Sequence, residues 1–170
     1  DKPVLFRAHG TSKSVWKEAE ERKMNIIDAT CPLVHEIHRD VKELEEDGRK
    51  IIIIGDHGHD EVVGIASQVK NAVIISNVDE ANAFRKTKKA GIVSQSTQTI
   101  ENVQEIINIL MTKVFDLRFV NTICFPTKRN QEQIKELSKI TDLMIIIGSF
   151  TSANSKRLTE LSLERNKKTH

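Results

Sequence analysis

Residues 50–61 carry the sequence Lys-Ile-Ile-Ile-Ile-Gly-Asp-His-Gly-His-Asp-Glu, and this stretch decides the fold class. Four successive isoleucines leave no polar face, which is typical of a strand buried on both sides within a parallel sheet. The glycine-containing turn that follows delivers two histidines and two acids to the start of the next helix. Ligands of open parallel sheets bind at this carboxyl edge of the strands. The segment therefore predicts a parallel α/β fold and one wall of a functional site.

The rest of the chain alternates between strand and helix patterns. Strands are predicted at residues 4–8, 25–28, 50–54, 72–76, 91–94, 116–120 and 143–147. Helices are predicted at residues 12–22, 33–46, 61–69, 79–85, 100–112, 129–139 and 152–164. This alternation favours an α/β fold of repeated parallel-sheet units sandwiched by helices. We expect residues 1–30 to form the tail of a first lobe, residues 31–120 a second lobe, and residues 121–170 most of a third.

Composition is that of a soluble globular protein, with 38% apolar and 29% charged residues in a chain of 170. Net charge is +2, and the short basic clusters at residues 85–89 and 165–168 lack aromatic partners, so no nucleic-acid partner is expected. No apolar run approaches the length of a membrane span, and we expect neither a signal peptide nor a membrane partner. Two cysteines do not make a disulfide framework, which favours a reducing cytoplasm.

The two cysteines lie in nearly identical local frames. Cys31 follows the sequence Asn-Ile-Ile-Asp-Ala-Thr and Cys124 follows Arg-Phe-Val-Asn-Thr-Ile, so Asp28 and Asn121 each precede a cysteine by three residues. Each cysteine ends an apolar strand and precedes a helix, whose N-terminus favours a thiolate. The repeat predicts one metal-ligating turn used twice, whereas two inert buried cysteines are the alternative. Two thiolates are too few for a closed zinc or iron–sulfur site, so a further ligand must come from elsewhere.

Other predicted strands also end in polar residues. His9 follows the first strand, and residues 93–99 are rich in hydroxyl groups. Residues 147–155, Ile-Gly-Ser-Phe-Thr-Ser-Ala-Asn-Ser, offer hydroxyls and an amide before a helix, which suits a phosphate. They lack the Gly-Lys-Ser/Thr ending of a P-loop, and a hydroxyl-rich helix cap is the alternative interpretation. His35 and His38 follow Cys31 on one helix, where exposed helix histidines are favoured over zinc ligands.

Six motifs in chain order carry a resemblance to a known family. They are Ala8-His9-Gly10, Asp28-Ala-Thr-Cys31-Pro-Leu-Val, Gly58-His59-Asp-Glu61-Val-x-Gly64, Thr97-Gln98-Thr99, Cys124-x-x-Thr127 and Gly148-Ser149-x-x-Ser152-x-Asn154-Ser155-x-Arg157-Leu158. Together they cover essentially the whole chain, which thereby resembles the LytB-type 4-hydroxy-3-methylbut-2-enyl diphosphate reductases. Each motif alone is unspecific, whereas six in order are not.

The resemblance implies a three-lobed trefoil arrangement of α/β units around a 4Fe-4S iron–sulfur cluster held by three cysteines, one from each lobe. Cys31 and Cys124 match the second and third of these metal ligands, and the first matches no residue of this chain. The implied reaction is the reductive dehydroxylation of an allylic diphosphate to isopentenyl and dimethylallyl diphosphate in the non-mevalonate isoprenoid pathway. A ferredoxin- or flavodoxin-type protein is the implied electron donor. We therefore expect the chain to be an excised and inactive fragment of a longer enzyme.

The resemblance also assigns roles to individual residues. Glu61 matches the catalytic proton donor, and Thr99 matches a hydroxyl that orients or relays protons near the substrate alcohol. The residues that match diphosphate-binding groups are His9, His59, Ser152 and Asn154.

Several positions depart from the family pattern. Asp60 stands where the family usually has proline, Ile100 where a second threonine often follows, and Ala153 where a serine often lies. The last two departures each remove one hydroxyl contact that the family pattern would supply.

Two other functions remain open from the residues alone. One is a zinc-stabilised α/β binding module that uses Cys31, Cys124 and either His35 or His38. The other is a metal-free α/β domain that binds a sugar phosphate.

Overall fold

The computed structural model describes residues 2–170, which form parallel sheets flanked by helices. The strands are β1 (Val4–Phe6), β2 (Ile26–Asp28), β3 (Lys50–Ile54), β4 (Ala72–Ile75), β5 (Thr87–Ser94) and β6 (Val114–Phe119). The helices are α1 (Lys13–Glu21), α2 (Pro32–Glu46), α3 (Asp60–Ala66), α4 (Val78–Ala83), α5 (Ile100–Met111), α6 (Phe125–Ile140) and α7 (Ala153–Leu163). β1 pairs with β2, and the larger sheet has the order β4-β3-β5-β6, with every pair parallel. The predicted α/β fold class is thus confirmed.

The isoleucine run of β3 lies at the centre of the larger sheet, between β4 and β5. Ile51 and Ile53 pack with α2 and α3, while Ile52 and Ile54 pack with the residues of α4 and α5 on the other face. All four side chains are at most 1% exposed. Successive side chains of a strand point to opposite faces, so a strand covered on both sides needs an unbroken apolar run.

The predicted strand at residues 143–147 is wrong. Within residues 2–170, this segment forms one parallel bridge, between Met144 and Thr169, supported by the hydrogen bond from Ile146 N to His170 O at 2.7 Å. Ile145 and Ile147 are 67% and 95% exposed. The apolar pattern is that of a buried strand, but the described residues provide no second neighbouring strand to cover it.

Helix boundaries differ from the prediction most at α6, which begins at Phe125 rather than at residue 129. Proline is tolerated in the first helical turn because its missing N–H has no partner there, so Pro126 does not delay the start of the helix. α3 ends at Ala66, three residues before its predicted end. No helix among residues 2–170 has the length and apolar character needed to cross a membrane.

Candidate functional site

The polar ends of several strands meet through backbone hydrogen bonds. The Cys31 N–H donates to the Ala8 carbonyl at 3.0 Å, which ties the β2–α2 turn to the turn after β1. The Cys124 N–H donates to the Ser96 carbonyl, also at 3.0 Å, which ties the start of α6 to the turn after β5. The carboxyl edges of the parallel strands therefore bring both cysteines beside other polar turns, as parallel α/β sheets do.

Cys31 and Cys124 occupy equivalent positions, because each is the N-cap residue of a helix with proline in its first turn. Their φ and ψ angles are −58° and 134° for Cys31, and −68° and 148° for Cys124. Both thiols are partly exposed and neither is in a disulfide. The Cys124 Sγ lies 2.9 Å from the Thr127 Oγ1. The repeated sequence frame is therefore also a repeated backbone geometry.

The two thiols are of the ligand type that holds iron–sulfur clusters, in which cysteine thiolates bind the iron. Among residues 2–170, however, no three His, Cys, Asp or Glu side chains converge as a metal site. His35 is instead paired with Asp28 at 3.4 Å, and His38 is buried. Cys31 and Cys124 would supply two thiolates of an iron–sulfur cluster, which would need further ligands from outside the described residues. The described residues do not form the three-ligand zinc site considered as an alternative.

A polar cleft of about 420 Å³ brings together the four residues that match diphosphate-binding groups: His9, His59, Ser152 and Asn154. The rings of His9 and His59 lie nearly perpendicular, with their centroids 5.4 Å apart. Gly58, with φ of +75°, makes the turn that places His59 at the cleft. Thr97 also lines the cleft, whereas sequence reasoning assigned it no role.

The loop leading to α7 passes very close to that helix at Gly148, ahead of residues 151–154, which line the cleft. A Cβ at this position would lie 2.2 Å from the Ser155 Oγ, so no larger residue fits without moving α7. Ser152 caps α7 by accepting a hydrogen bond from the Ser155 N–H at 3.3 Å. The predicted hydroxyl-rich helix cap is therefore present and the same turn lines the cleft, while phosphate binding by residues 147–155 stays a prediction.

His59 is oriented by its own helix. Its Nδ1 accepts a hydrogen bond from the Glu61 N–H at 3.2 Å, which leaves Nε2 as the other nitrogen available to a ligand. Burial lowers the pKa of His59 below its ordinary value, and His9 lowers it further, while the Glu61 carboxylate opposes the change. His59 is therefore mainly a neutral imidazole at pH 7, able to donate a hydrogen bond from Nε2 to an anion.

Glu61 lies beneath the cleft wall with 1% of its surface exposed. Its Oε1 accepts a hydrogen bond from the Ser96 N–H at 2.5 Å, and its Oε2 accepts one from the Ser96 hydroxyl at 2.7 Å. The Ser96 carbonyl in turn accepts from the Cys124 N–H. One serine thus connects the buried acid to the second cysteine. Sequence reasoning noted the hydroxyl-rich turn after β5 but gave Ser96 no role.

Thr99 does not line the cleft, and neither do the predicted site residues Glu61, Cys31 and Cys124. Its hydroxyl caps α5 by accepting a hydrogen bond from the Asn102 N–H at 3.3 Å. The turn that contains Thr99 is nevertheless shared with Ser96 and Thr97, so Thr99 lies in the same loop as the group that holds Glu61.

A further interaction that the sequence did not reveal ties the two walls of the cleft together. Arg157 of α7 donates through Nη2 to both carboxylate oxygens of Asp56, at 2.7 and 2.8 Å. Its Nη1 donates to the Thr97 hydroxyl at 3.3 Å. Because Asp56 follows β3 and Thr97 follows β5, this clamp fixes α7 against the carboxyl edge of the sheet.

A comparison with known families agrees with the six motifs quoted from the sequence. The model of the family described as LytB protein matches residues 1–170. The chain belongs to the LytB family. A relative from Geobacter metallireducens, named 4-hydroxy-3-methylbut-2-enyl diphosphate reductase, is 36% identical over 171 residues, covering 100% of this chain and 61% of its own length. One of the same name from Helicobacter hepaticus is 39% identical, covering 96% of this chain and 60% of its own length. The chain thus spans about three fifths of the length of these relatives.

Two solved structures of such reductases share the fold. The Plasmodium falciparum E-1-hydroxy-2-methyl-but-2-enyl-4-diphosphate reductase superposes with a TM-score of 0.92 at 30% identity, covering 99% of this chain and 54% of that one. A second, described as the terminal enzyme of the non-mevalonate pathway, gives 0.73 at 31% identity, covering 99% of this chain and 61% of that one. The LytB resemblance is thereby confirmed, and the α/β fold corresponds to part of a trefoil architecture.

Proposed function

We propose that this chain contributes to the reductive dehydroxylation of 4-hydroxy-3-methylbut-2-enyl diphosphate, which yields isopentenyl and dimethylallyl diphosphate. The observation that carries the proposal is the connection from buried Glu61 through Ser96 to Cys124, beside a cleft lined by His9, His59, Ser152 and Asn154. Proton donor, thiol and anion-binding groups are the parts that this reaction requires, and the names of the relatives agree with it.

The cleft is the proposed site of the diphosphate. His9 and His59 face Ser152 and Asn154 across it, so imidazole, hydroxyl and amide groups can donate hydrogen bonds to the phosphate oxygens. Arg7 also lines the cleft and contributes a positive charge at its mouth, although it is paired there with Asp60. The absent hydroxyl at Ala153 removes a donor that the family pattern would supply at this wall.

Cys31 and Cys124 are the proposed ligands of a 4Fe-4S cluster, together with a cysteine from outside this chain. When bound, the cluster supplies a Lewis-acidic iron and the reducing electrons, which a ferredoxin- or flavodoxin-type protein replenishes. The helix N-termini at both cysteines stabilise their thiolates. A cytoplasmic location belongs to the proposal and is supported by two cysteines that form no disulfide.

Glu61 is the proposed proton donor. Its carboxyl group is nearly inaccessible to bulk water and is held from both oxygens by Ser96, so it is positioned before substrate arrives. A positioned acid is worth orders of magnitude in rate when it delivers a proton in the transition state. Thr99, in the same turn as Ser96, is the proposed group that orients the substrate alcohol, which requires that its helix-capping bond be exchanged for one to substrate.

The predicted lobe boundaries are part of the proposal, in which each lobe would supply a different set of site residues. Residues 1–30 would supply His9, residues 31–120 would supply Cys31, His59, Glu61 and Thr99, and residues 121–170 would supply Cys124, Ser152 and Asn154. The site would then be built where the lobes meet, which is where multi-unit α/β proteins commonly bind ligands.

Iron and sulfide content of the protein expressed from its gene tests the cluster assignment. After anaerobic reconstitution, Cys31→Ser and Cys124→Ser should each lose most of the iron and sulfide bound by the wild type. Met24→Ser, which replaces an exposed sulfur elsewhere, is the control and should retain both. Unchanged iron and sulfide in either cysteine variant would contradict the proposal, and stoichiometric zinc without sulfide would favour the binding module.

A metal-free phosphate-binding domain is the second candidate, because neither cysteine lines the cleft. It would be favoured if the wild-type protein takes up no iron and yet binds inorganic pyrophosphate with unchanged affinity after both cysteines are replaced by serine.

A further inference from the structure

A second cavity, of about 320 Å³, shares no lining residue with the cleft. It lies between α1, the β2–α2 turn, the first turns of α2 and the residues after α3. The charged and titratable side chains of its wall come from two helices: Lys13, His35, His38, Arg39 and Lys42. No carboxylate is among the described residues that line it. The cavity is therefore strongly basic, although the whole chain has a net charge of only +2.

The basic groups of this cavity are only partly compensated, because Asp40 on the same helix interacts electrostatically with Arg39. Within the part of the chain that the structure describes, Arg39 and Lys42 form no ion pair, and Lys13 donates to the Gln68 carbonyl at 2.9 Å. A second nearby acid is Asp28, whose Oδ1 accepts from the N–H and hydroxyl of Thr30 at 2.9 and 2.6 Å. Asp28 also pairs with His35 and acts electrostatically on His38, so its negative charge offsets part of the positive charge of the cavity.

His38 forms the back wall and is nine-tenths buried, and its Nε2 has no hydrogen-bond partner among the described residues. The ring packs against Gly10, where a Cβ would lie 3.1 Å from its Cε1. Burial lowers the pKa of His38 to about 4, and the positive charges of His35, Lys42 and Lys13 contribute, while Asp28 opposes. At pH 7 the ring is therefore neutral, and Lys13, Arg39 and Lys42 supply positive charge to the cavity wall.

We propose that the basic cavity binds the phosphate group of a small phosphorylated molecule. Guanidinium and ammonium groups that converge without a carboxylate are the usual recognition elements for phosphate. The volume accommodates a phosphate with a modest organic group, for which Trp16 and Thr11 provide an apolar face and a hydroxyl. This site is separate from the proposed diphosphate cleft and does not depend on it.

A small ligand suits the surroundings better than an acidic protein does. Glu36, Asp40 and Glu43 lie on the same helix between and beside the basic positions. An acidic protein surface laid along α2 would face these carboxylates as well as the cations, and like charges in contact oppose docking. A phosphate inside the cavity contacts the residues that line it, and none of these three carboxylates is among them.

Imidazole C–H resonances of the 170-residue chain, followed by NMR at constant ionic strength during titration with inorganic phosphate, test the proposal. We expect a saturable shift of the His35 and His38 signals with a Kd in the range of about 1 mM. Arg39→Ala/Lys42→Ala should weaken this binding by about tenfold or more. Lys139→Ala/Lys167→Ala removes the same charge from other exposed positions and should leave the affinity unchanged.

The proposal is overturned if the shifts do not saturate, if chloride at matched ionic strength reproduces them, or if both double variants bind phosphate equally. If a poly-glutamate peptide shifts the His35 and His38 signals with a lower Kd than phosphate does, the proposal is overturned in favour of an acidic protein partner. Signals of His9 and His59 report separately on the cleft, so failure of one site is distinguishable from failure of the other.

Discussion

The four-stranded sheet and the C-terminal helix pair differ in how they are held together. In the sheet, β3 buries four isoleucines between helices on both faces. The contact between α6 and α7 includes hydroxyl groups, with Ser162 bonded to Ser138 at 3.0 Å and to Thr169 at 2.8 Å. Beside these helices, Ile147 and Phe150 are 95% and 96% exposed. The sheet therefore completes its own apolar core within this chain, and the helix pair does not.

This difference separates the parts of the proposed site. Glu61 and its partner Ser96 belong to the sheet unit and are fixed by its packed core. Ser152 and Asn154 belong to the start of α7, whose position depends on the polar clamp between Arg157 and Asp56. Glu61 is thus preorganised by apolar packing, whereas one wall of the proposed diphosphate cleft is positioned mainly by polar contacts.

The largest expected effect is a loss of stability on truncating the sheet core. Ile53→Ala removes a fully buried side chain and should lower the free energy of unfolding by about 2–5 kcal/mol, because transfer and cavity terms add. Ile147→Ala is the matched control at an exposed position and should change it by less than about 0.5 kcal/mol. Urea denaturation measures both, and equal losses would remove the distinction between the two regions.

The buried histidine of the sheet unit predicts an acid-dependent loss of stability. In the folded protein His38 has a pKa of about 4, so the ring stays neutral until the pH falls to that value. In the unfolded chain it takes up a proton near pH 6.5. Its stabilising contribution is therefore complete above pH 6.5 and is lost as the pH falls towards 4, by an amount on the order of 3 kcal/mol. Denaturation between pH 4 and 7 should show a shallower pH dependence in His38→Gln, and an identical slope would contradict the assignment.

Breaking the clamp should loosen α7 without loosening the sheet. Arg157→Ala removes two charge-assisted hydrogen bonds to Asp56, each of a kind worth roughly 1.5–3 kcal/mol before solvent screening at the half-exposed carboxylate. Amide exchange of residues 153–163 should accelerate while that of β3 stays unchanged. Lys139→Ala, which breaks an exposed pair with Glu136, should alter neither region. Equal acceleration in β3 would mean that the two regions unfold together.

The smallest expected effect concerns the cap of α5. Thr99→Ala should destabilise the chain by about 1 kcal/mol because the Asn102 N–H loses its acceptor. Thr99→Ser retains the hydroxyl and should recover most of that loss. If Thr99→Ala leaves the thermal midpoint unchanged, the capping hydrogen bond contributes nothing to stability. The Thr99 hydroxyl would then be free to bind substrate.

Local sequence patterns predicted what depends on local chemistry. The isoleucine run of β3 and the repeated frame of Cys31 and Cys124 both correspond to the structure, because strand burial and helix capping act over a few residues. The segment 143–147 failed because an apolar run becomes a strand only beside partners that residues 2–170 do not provide. Ser96 and Arg157 were missed because their carboxylate partners lie 35 and 101 residues away along the chain.

The turnover of a Glu61→Gln variant of the protein expressed from its gene tests the proposed role of Glu61 as proton donor. With the cluster reconstituted and a reduced electron carrier present, the wild type should consume 4-hydroxy-3-methylbut-2-enyl diphosphate. The variant should keep its iron and sulfide but lose about 10²–10⁴-fold in turnover, because the positioned proton donor is gone. Glu132→Gln, at an exposed acid on α6, should turn over normally. Undiminished turnover in Glu61→Gln would contradict the account.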